Sequence, residues 1–278
     1  MSRRTVDLVL EAKEARLPDG AVVRRALPQR RRRLVGPFCF LDHMGPAAYG
    51  PERPVAVPPH AHVGLATVTW LFAGELVHRD SLGTTQAIRP GEVNWMTAGR
   101  GIVHEERSAS GAAGTLHGIQ SWVAQPDATR RGPPRFAHHG DLPRWENEGV
   151  GLTLVAGALA GRSSPVALEH PTLHLELCFE AASELALEVD ATFELGLYVA
   201  EGAATMQGQA VSAATLAISD AGVGPLVLSS AIGGRAVLVG GAPLGENVVM
   251  FDNYVGRDAA MLREAHAAFL RGELGRIA

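Results

Sequence analysis

Apolar runs of strand length recur along nearly the whole chain, and each is closed by a residue that breaks regular structure. They fall at residues 35–41, 64–72, 93–96, 118–123 and 152–157, then at 173–179, 185–189, 195–199, 215–218, 225–228 and 236–239. Val, Leu, Thr and aromatic side chains fill them, residue types that fit a pleated, half-buried surface. Gly, Pro, Asp or Ser bounds each run, and the 32 glycines and 17 prolines are spread throughout, so long helices have no room to form. Many short strands at this spacing predict an all-β chain built as a sandwich or barrel. One stretch departs from the pattern. Leu262, Ala265, His266 and Phe269 recur at helical spacing with Arg and Glu between them, which predicts a helix at about 257–271.

A passage at 125–145, rich in Pro and charge, has no clean period and reads as a linker or wrapping loop. It divides the chain into β-rich parts, expected at 1–135 and 136–278. The parts echo each other: L-F-A-G-E-L-V-H from Leu71 and Y-V-A-E-G-A-A-T from Tyr198 both read as strand, turn, strand. A chain of 278 residues is long enough for two such domains, each with its own core.

The chemistry is concentrated between Pro58 and Arg107. His60 and His62 are two residues apart at the start of a strand, so both side chains point to one face. Continuing that parity predicts Gly64, Ala66, Val68, Trp70 and Phe72 on the same face, as a barrel interior of small or apolar groups. His104 and Glu106 repeat the two-residue spacing. Two strands each offering two ligands can place three imidazoles and one carboxylate around one divalent metal ion. Fe(II) is the favoured ion, and Mn, Ni, Cu and Zn accept the same donors. A lone H-x-H pair is commonly two surface or hydrogen-bonding histidines. A distant H-x-E across a Pro90-Gly91 turn makes the combination far more specific. Cysteine ligation is not expected, with 11 histidines against 2 cysteines.

The H-x-H pair, the Pro-Gly turn and above all W-M-T-A-G-R-G-I-V-H-x-E from Trp95 resemble the pirin family of the cupin superfamily. L-D-H-M-G-P from Leu41 and G-A-P-L-G-E-N-V-V from Gly241 extend the resemblance over nearly the whole chain. It implies a bicupin, two antiparallel jelly-roll barrels packed together, with metal in the N-terminal barrel on His60, His62, His104 and Glu106. It also implies a quercetinase-type dioxygenase, which opens the central ring of a flavonol with dioxygen. Glu106 would then also take the substrate hydroxyl proton, and Ala66, Val68 and Trp70 would wall a pocket for a planar aromatic substrate. The alternatives are a metal-dependent, iron redox-sensing regulatory or protein-binding module without turnover, and an isomerase or degenerate cupin. Many pirins carry glutamate where this chain has Ala66, which predicts a larger and drier pocket beside the metal.

The C-terminal part is not expected to hold metal. Shifting by 128 residues takes His60 to Glu188 and His62 to Asp190, and no second pair faces His174 and Glu176. His78 and Asp80 are read either as orienting a ligand from outside the metal shell or as solvated hairpin residues. Asp42 and His43 belong to a loop near the barrel or to a simple turn. Trp70, Phe72 and Trp95 are core candidates, and Cys39 a small buried hydrophobe. The arginines at 30–33, with Arg24 and Arg25, form a basic cluster open to an acidic protein partner. Nucleic acid is not expected, because the net charge is −4 and no aromatics interleave the arginines. No apolar run reaches the roughly 18–20 residues needed to cross a bilayer. Asp7 and Glu11 interrupt what would be a signal-peptide core. These readings predict a cytoplasmic monomer.

Overall fold

Alternation becomes strand almost everywhere the sequence shows it. The computed structural model describes residues 1–17 and 20–277 and contains one helix among them. The runs at 64–72, 118–123 and 173–179 become Leu65–Ala73, Gly114–Ala124 and Thr172–Phe179. Among the described residues, no helix is long and apolar enough to cross a membrane.

The chain forms two compact units, and neither is a continuous half of it. One comprises residues 1–14, 24–43 and 141–244, and the other residues 15–23, 44–140 and 245–278. This differs from a single cut between residues 135 and 136. The physical reason lies at the termini: the early strand Leu8–Glu11 pairs antiparallel with Thr215–Ser219, while the C-terminal helix packs on the strands that carry His60 and His104.

The first unit is an antiparallel sheet with strand order Leu8–Glu11, Thr215–Ser219, Glu194–Met206, Gly234–Gly241, Thr172–Phe179, Val150–Ala156, Arg144–Asn147. One side-chain parity of these strands, including Leu154, Leu175, Leu177, Leu197 and Leu238, forms its apolar core. Each fully buried leucine contributes roughly 1.5–3 kcal/mol relative to exposure. His174 lies on the opposite parity of its strand, fully buried against the edge of Phe38, with neither ring nitrogen hydrogen-bonded among the described residues.

The second unit carries the chemistry. Its eight site-building strands are β1 (Ala56–His62), β2 (Leu65–Ala73), β3 (Leu76–Asp80), β4 (Thr85–Ile88), β5 (Val93–Thr97), β6 (Ile102–Arg107), β7 (Gly114–Ala124) and β8 (Arg135–His139). They form two facing sheets, ordered β1-β6-β3-β4 and β8-β5-β2-β7. The segment read from sequence as a featureless linker contains β8, which pairs with β5 residue for residue from Arg135–Thr97 to His139–Val93. A partner strand, rather than any period of its own, fixes its structure.

The helix α1 (Ala259–Leu270) starts at Asp258, whose carboxylate accepts the Met261 N–H at 2.9 Å. It ends before Gly272, whose positive φ of 75° supplies the left-handed turn that closes many helices. Leu262 is buried, and Ala265 and Phe269 pack with it against Ala61, Val103 and Tyr254. Ala61 and Val103 are partners on β1 and β6. The helix therefore covers the back of the two strands whose front faces carry the histidines.

Candidate metal centre

On β1 and β6, alternation puts the expected ligands on one face. His104 is the direct partner of His60, and Ile102 of His62. The register then jumps, with Glu106 opposite Val57, so Pro58 and Pro59 form a bulge where β1 needs no ladder N–H. On the other side of β6, His104 pairs with Asp80 and Glu106 with His78 on β3. Five groups able to bind or support a cation thus share one sheet face with His60.

The ring centroids of His60, His62 and His104 lie 4.4–4.9 Å apart. One nitrogen from each lies within 4.8 Å of the other two. Glu106 belongs to a second such set, with His104 and His78, so His104 is common to both. His62, His104 and Glu106 are buried, and His60 is partly exposed at the edge. Burial holds His62 and His104 well below the usual imidazole range, and the neighbouring imidazoles, led by His60, push the same way. Burial also lowers His60. Neutral imidazoles are the form that binds metal.

Hydrogen bonding decides where the lone pairs point. Nδ1 of His60 lies 2.8 Å from the Pro58 carbonyl, and Nδ1 of His62 lies 3.0 Å from the Asn253 carbonyl. A carbonyl only accepts, so each ring donates from Nδ1 and a neutral ring keeps its lone pair on Nε2. Those two Nε2 atoms face each other at 3.1 Å. Nε2 of His104 is buried with no hydrogen-bond partner among the described residues. Lone pairs held this close repel unless something positive lies between them. The donor set fits one divalent ion bound by His60, His62 and His104, with Glu106 within reach of the His104 side.

The facing sheet supplies contacts that the sequence reading missed. Thr69 on β2 donates its hydroxyl to Glu106 Oε1 at 2.9 Å. Trp122 on β7 sets its ring edge-on to His62, with centroids 5.0 Å apart. Phe136 on β8 stacks on His78 at 4.4 Å with a 21° tilt. Trp122, Thr67, Met96 and Phe136 are successive cross-strand partners in one row, and Gln120, Thr69, Asn94 and His138 form the next. Ala66, Val68 and Trp70 therefore face away from the site, contrary to the expectation that they wall it. The cause is Gly64, with a φ of 72°, which ends β1 and restarts the alternation one step out of phase. Ala66 accordingly neither enlarges nor dries the pocket beside the histidines.

His78 and Asp80 are buried and belong to the site rather than to a solvated hairpin. Nε2 of His78 lies 3.0 Å from Asp80 Oδ2, and its Nδ1 lies 3.3 Å from His104 Nδ1. A cavity of about 230 Å³, whose lining includes Met44, Tyr49, Val55, Leu76, Leu116 and Arg53, extends to Glu106. A larger cavity of about 890 Å³ in the first unit, around Glu169, His170 and Asp190, holds no metal-binding cluster among the described residues. Asp42 and His43 fall in that unit, where Asp42 takes two hydrogen bonds from Arg25 and His43 meets the Tyr198 hydroxyl at 3.0 Å. Arg32, from the basic cluster, is paired with Glu194 and Asp220. Trp70, Phe72, Trp95 and Cys39 are all buried, as core residues should be.

Residues 20–123 match the family described as Pirin, and residues 174–275 the family described as Pirin C-terminal cupin domain. A Pseudomonas aeruginosa protein named "Putative quercetin 2,3-dioxygenase PA1205" is 44% identical over 262 residues, covering 94% of this chain and 83% of that protein. A pirin-like protein of Caulobacter vibrioides is 37% identical over 276 residues, covering 97% and 94%. The crystal structure of a quercetin 2,3-dioxygenase from Acinetobacter baumannii superimposes with a TM-score of 0.93 at 33% identity, covering 97% of this chain and 91% of that one.

Proposed function

The chain belongs to the pirin family, and from that premise we propose that it is a metal-dependent dioxygenase of quercetinase type acting on flavonol-like substrates. The observation that carries the reading is the convergence of imidazole lone pairs. His60 Nε2 and His62 Nε2 face each other at 3.1 Å, and Nε2 of His104 beside them has no hydrogen-bond partner among the described residues. His60, His62, His104 and Glu106 are the proposed ligands and Fe(II) the proposed ion; a reaction with dioxygen calls for a redox-active metal, which sets Zn aside. When bound, the ion would act as a Lewis acid toward a substrate hydroxyl and carbonyl and conduct electrons to dioxygen.

The chain's own residues do the rest. Thr69 holds one oxygen of Glu106, which leaves the other free to bind or to accept the proton of a substrate hydroxyl. Trp122 and Phe136 pack against His62 and His78 and exclude water from that side. The cavity reaching Glu106 is smaller than the roughly 300–1,000 Å³ common for whole drug-sized ligands. It suits one aromatic ring of a flavonol, with the remainder outside.

Elemental analysis of protein purified without added metal tests the site. The expected result is about one ion per chain, lost in His62→Ala; stoichiometric metal retained by that variant overturns the ligand assignment. Oxygen uptake by the iron-loaded protein on a panel of flavonols and enediols tests the reaction. Uptake on flavonols supports it, and no uptake on any of them overturns it.

A further inference from the structure

Asp80 and His78 are buried in the second unit beside the proposed ligands, and nothing in the dioxygenase reading uses them. Asp80 Oδ1 accepts two backbone N–H groups, from Leu82 at 2.8 Å and Thr84 at 3.1 Å. That fixes the carboxylate and aims Oδ2 at His78 Nε2, 3.0 Å away. A carboxylate only accepts, so His78 carries a proton on Nε2. The His78 ring is held in this orientation by its stack on Phe136. Its other nitrogen, Nδ1, faces His104 Nδ1 at 3.3 Å.

His104 is buried, and in the neutral form that a ligand requires it has one N–H to place. A proton on Nε2 would have no acceptor among the described residues, whereas one on Nδ1 meets His78. The satisfied arrangement is therefore a directed chain: His104 Nδ1–H donates to His78 Nδ1, and His78 Nε2–H donates to Asp80. We infer that Asp80, acting through His78, sets the tautomer of His104 so that its Nε2 lone pair points at the other two imidazoles. Metal-bound histidines commonly donate their second nitrogen to a carboxylate or carbonyl. Here His60 and His62 use the backbone carbonyls of Pro58 and Asn253. His104 reaches its carboxylate through an intervening imidazole. Asp80 and His78 are positioning residues, and their role rests on the proposal that His104 is a ligand.

The substitution that separates this role from simple packing is Asp80→Asn. Its amide oxygen keeps the Leu82 and Thr84 bonds, so the turn is preserved. Its NH₂ then faces His78 Nε2 as a donor, which moves the His78 proton to Nδ1 and in turn drives the His104 proton onto Nε2. Nitrogen-15 NMR of histidine-labelled, metal-free protein at about pH 8, above the ordinary imidazole range, reads both tautomers directly. The wild type should show His104 unprotonated at Nε2, and Asp80→Asn should show it protonated there. Ni(II) titration of the same samples should give affinity weakened about 10–100-fold, with thermal unfolding of the metal-free variant close to wild type. His78→Phe, which removes the relay and retains a ring against Phe136, should weaken Ni(II) binding to a similar degree. An Nε2–H on His104 in the wild type, or unchanged tautomer and affinity in Asp80→Asn, overturns the inference. The tautomers found as stated in a wild type that binds no Ni(II) would instead overturn the metal reading and leave the relay standing.

Discussion

Thr69 on β2 donates its hydroxyl to Glu106 on β6 at 2.9 Å, across the interior between the two sheets of the second unit. Both residues are buried. The bond ties one carboxylate oxygen of Glu106 to the covering sheet and leaves the other to face the histidines. Thr69→Val keeps the shape and removes the donor. Leaving a buried carboxylate oxygen unpaired costs about 1–3 kcal/mol. The variant should lose that amount of stability in urea unfolding of the metal-free protein. An unchanged midpoint would show that Glu106 finds another partner.

Glu106→Gln tests the charge apart from the tie. The amide oxygen can still accept from Thr69, so folding should hold, while the negative charge and the proton-accepting site are gone. With metal supplied in excess, oxygen uptake on a flavonol should fall about 10²–10⁴-fold, the usual range for loss of a positioned base, with a much smaller change in KM. Equal activity would remove Glu106 from the reaction.

Gly64 decides which face of β2 meets the site, and its substitution should be disproportionately damaging. Its φ of 72° is left-handed, and an added Cβ would collide with the Val255 carbonyl oxygen. Its amide also donates to the Gly99 carbonyl at 2.9 Å, and its carbonyl accepts from Gln125, so the chain cannot easily move aside. Gly64→Ala should lower the melting temperature and, by shifting the phase of β2, also reduce bound metal. Its effect on stability should exceed the 1–3 kcal/mol ordinary for a strained backbone position. Wild-type metal content in a folded variant would refute the link between this turn and the site.

The same glycine marks the limit of what the sequence makes legible. His60 with His62, and His104 with Glu106, each lie within one unbroken strand, where a period of two suffices to predict a shared face. Carrying the period through Gly64, where the backbone breaks it, puts Ala66, Val68 and Trp70 on that face. Thr67 and Thr69 could have been found by restarting the count after the glycine, a known site of bulges and tight bends. Phe136 was hidden for another reason: β8 is polar and short, and it becomes a strand only by pairing with β5. The Asn253 carbonyl that orients His62 leaves no mark on side-chain pattern at all.

His174 provides a pH test confined to the first unit. It is fully buried, both ring nitrogens lack partners among the described residues, and burial pushes it down to about 3. In the unfolded chain an imidazole titrates near 6.5. Between those values the unfolded state holds a proton that the folded state refuses, so stability falls as pH drops from 6.5 toward 3, by about 1.4 kcal/mol per pH unit. Above pH 6.5 the residue is neutral in both states and adds no slope. His174→Leu deletes the titration and leaves the other histidines to contribute equally in both proteins. Urea unfolding at pH 7.5 and pH 5.0 should therefore show the wild type losing roughly 2 kcal/mol more than the variant. Equal losses in the two proteins would mean that His174 gains a proton, or a partner, without unfolding.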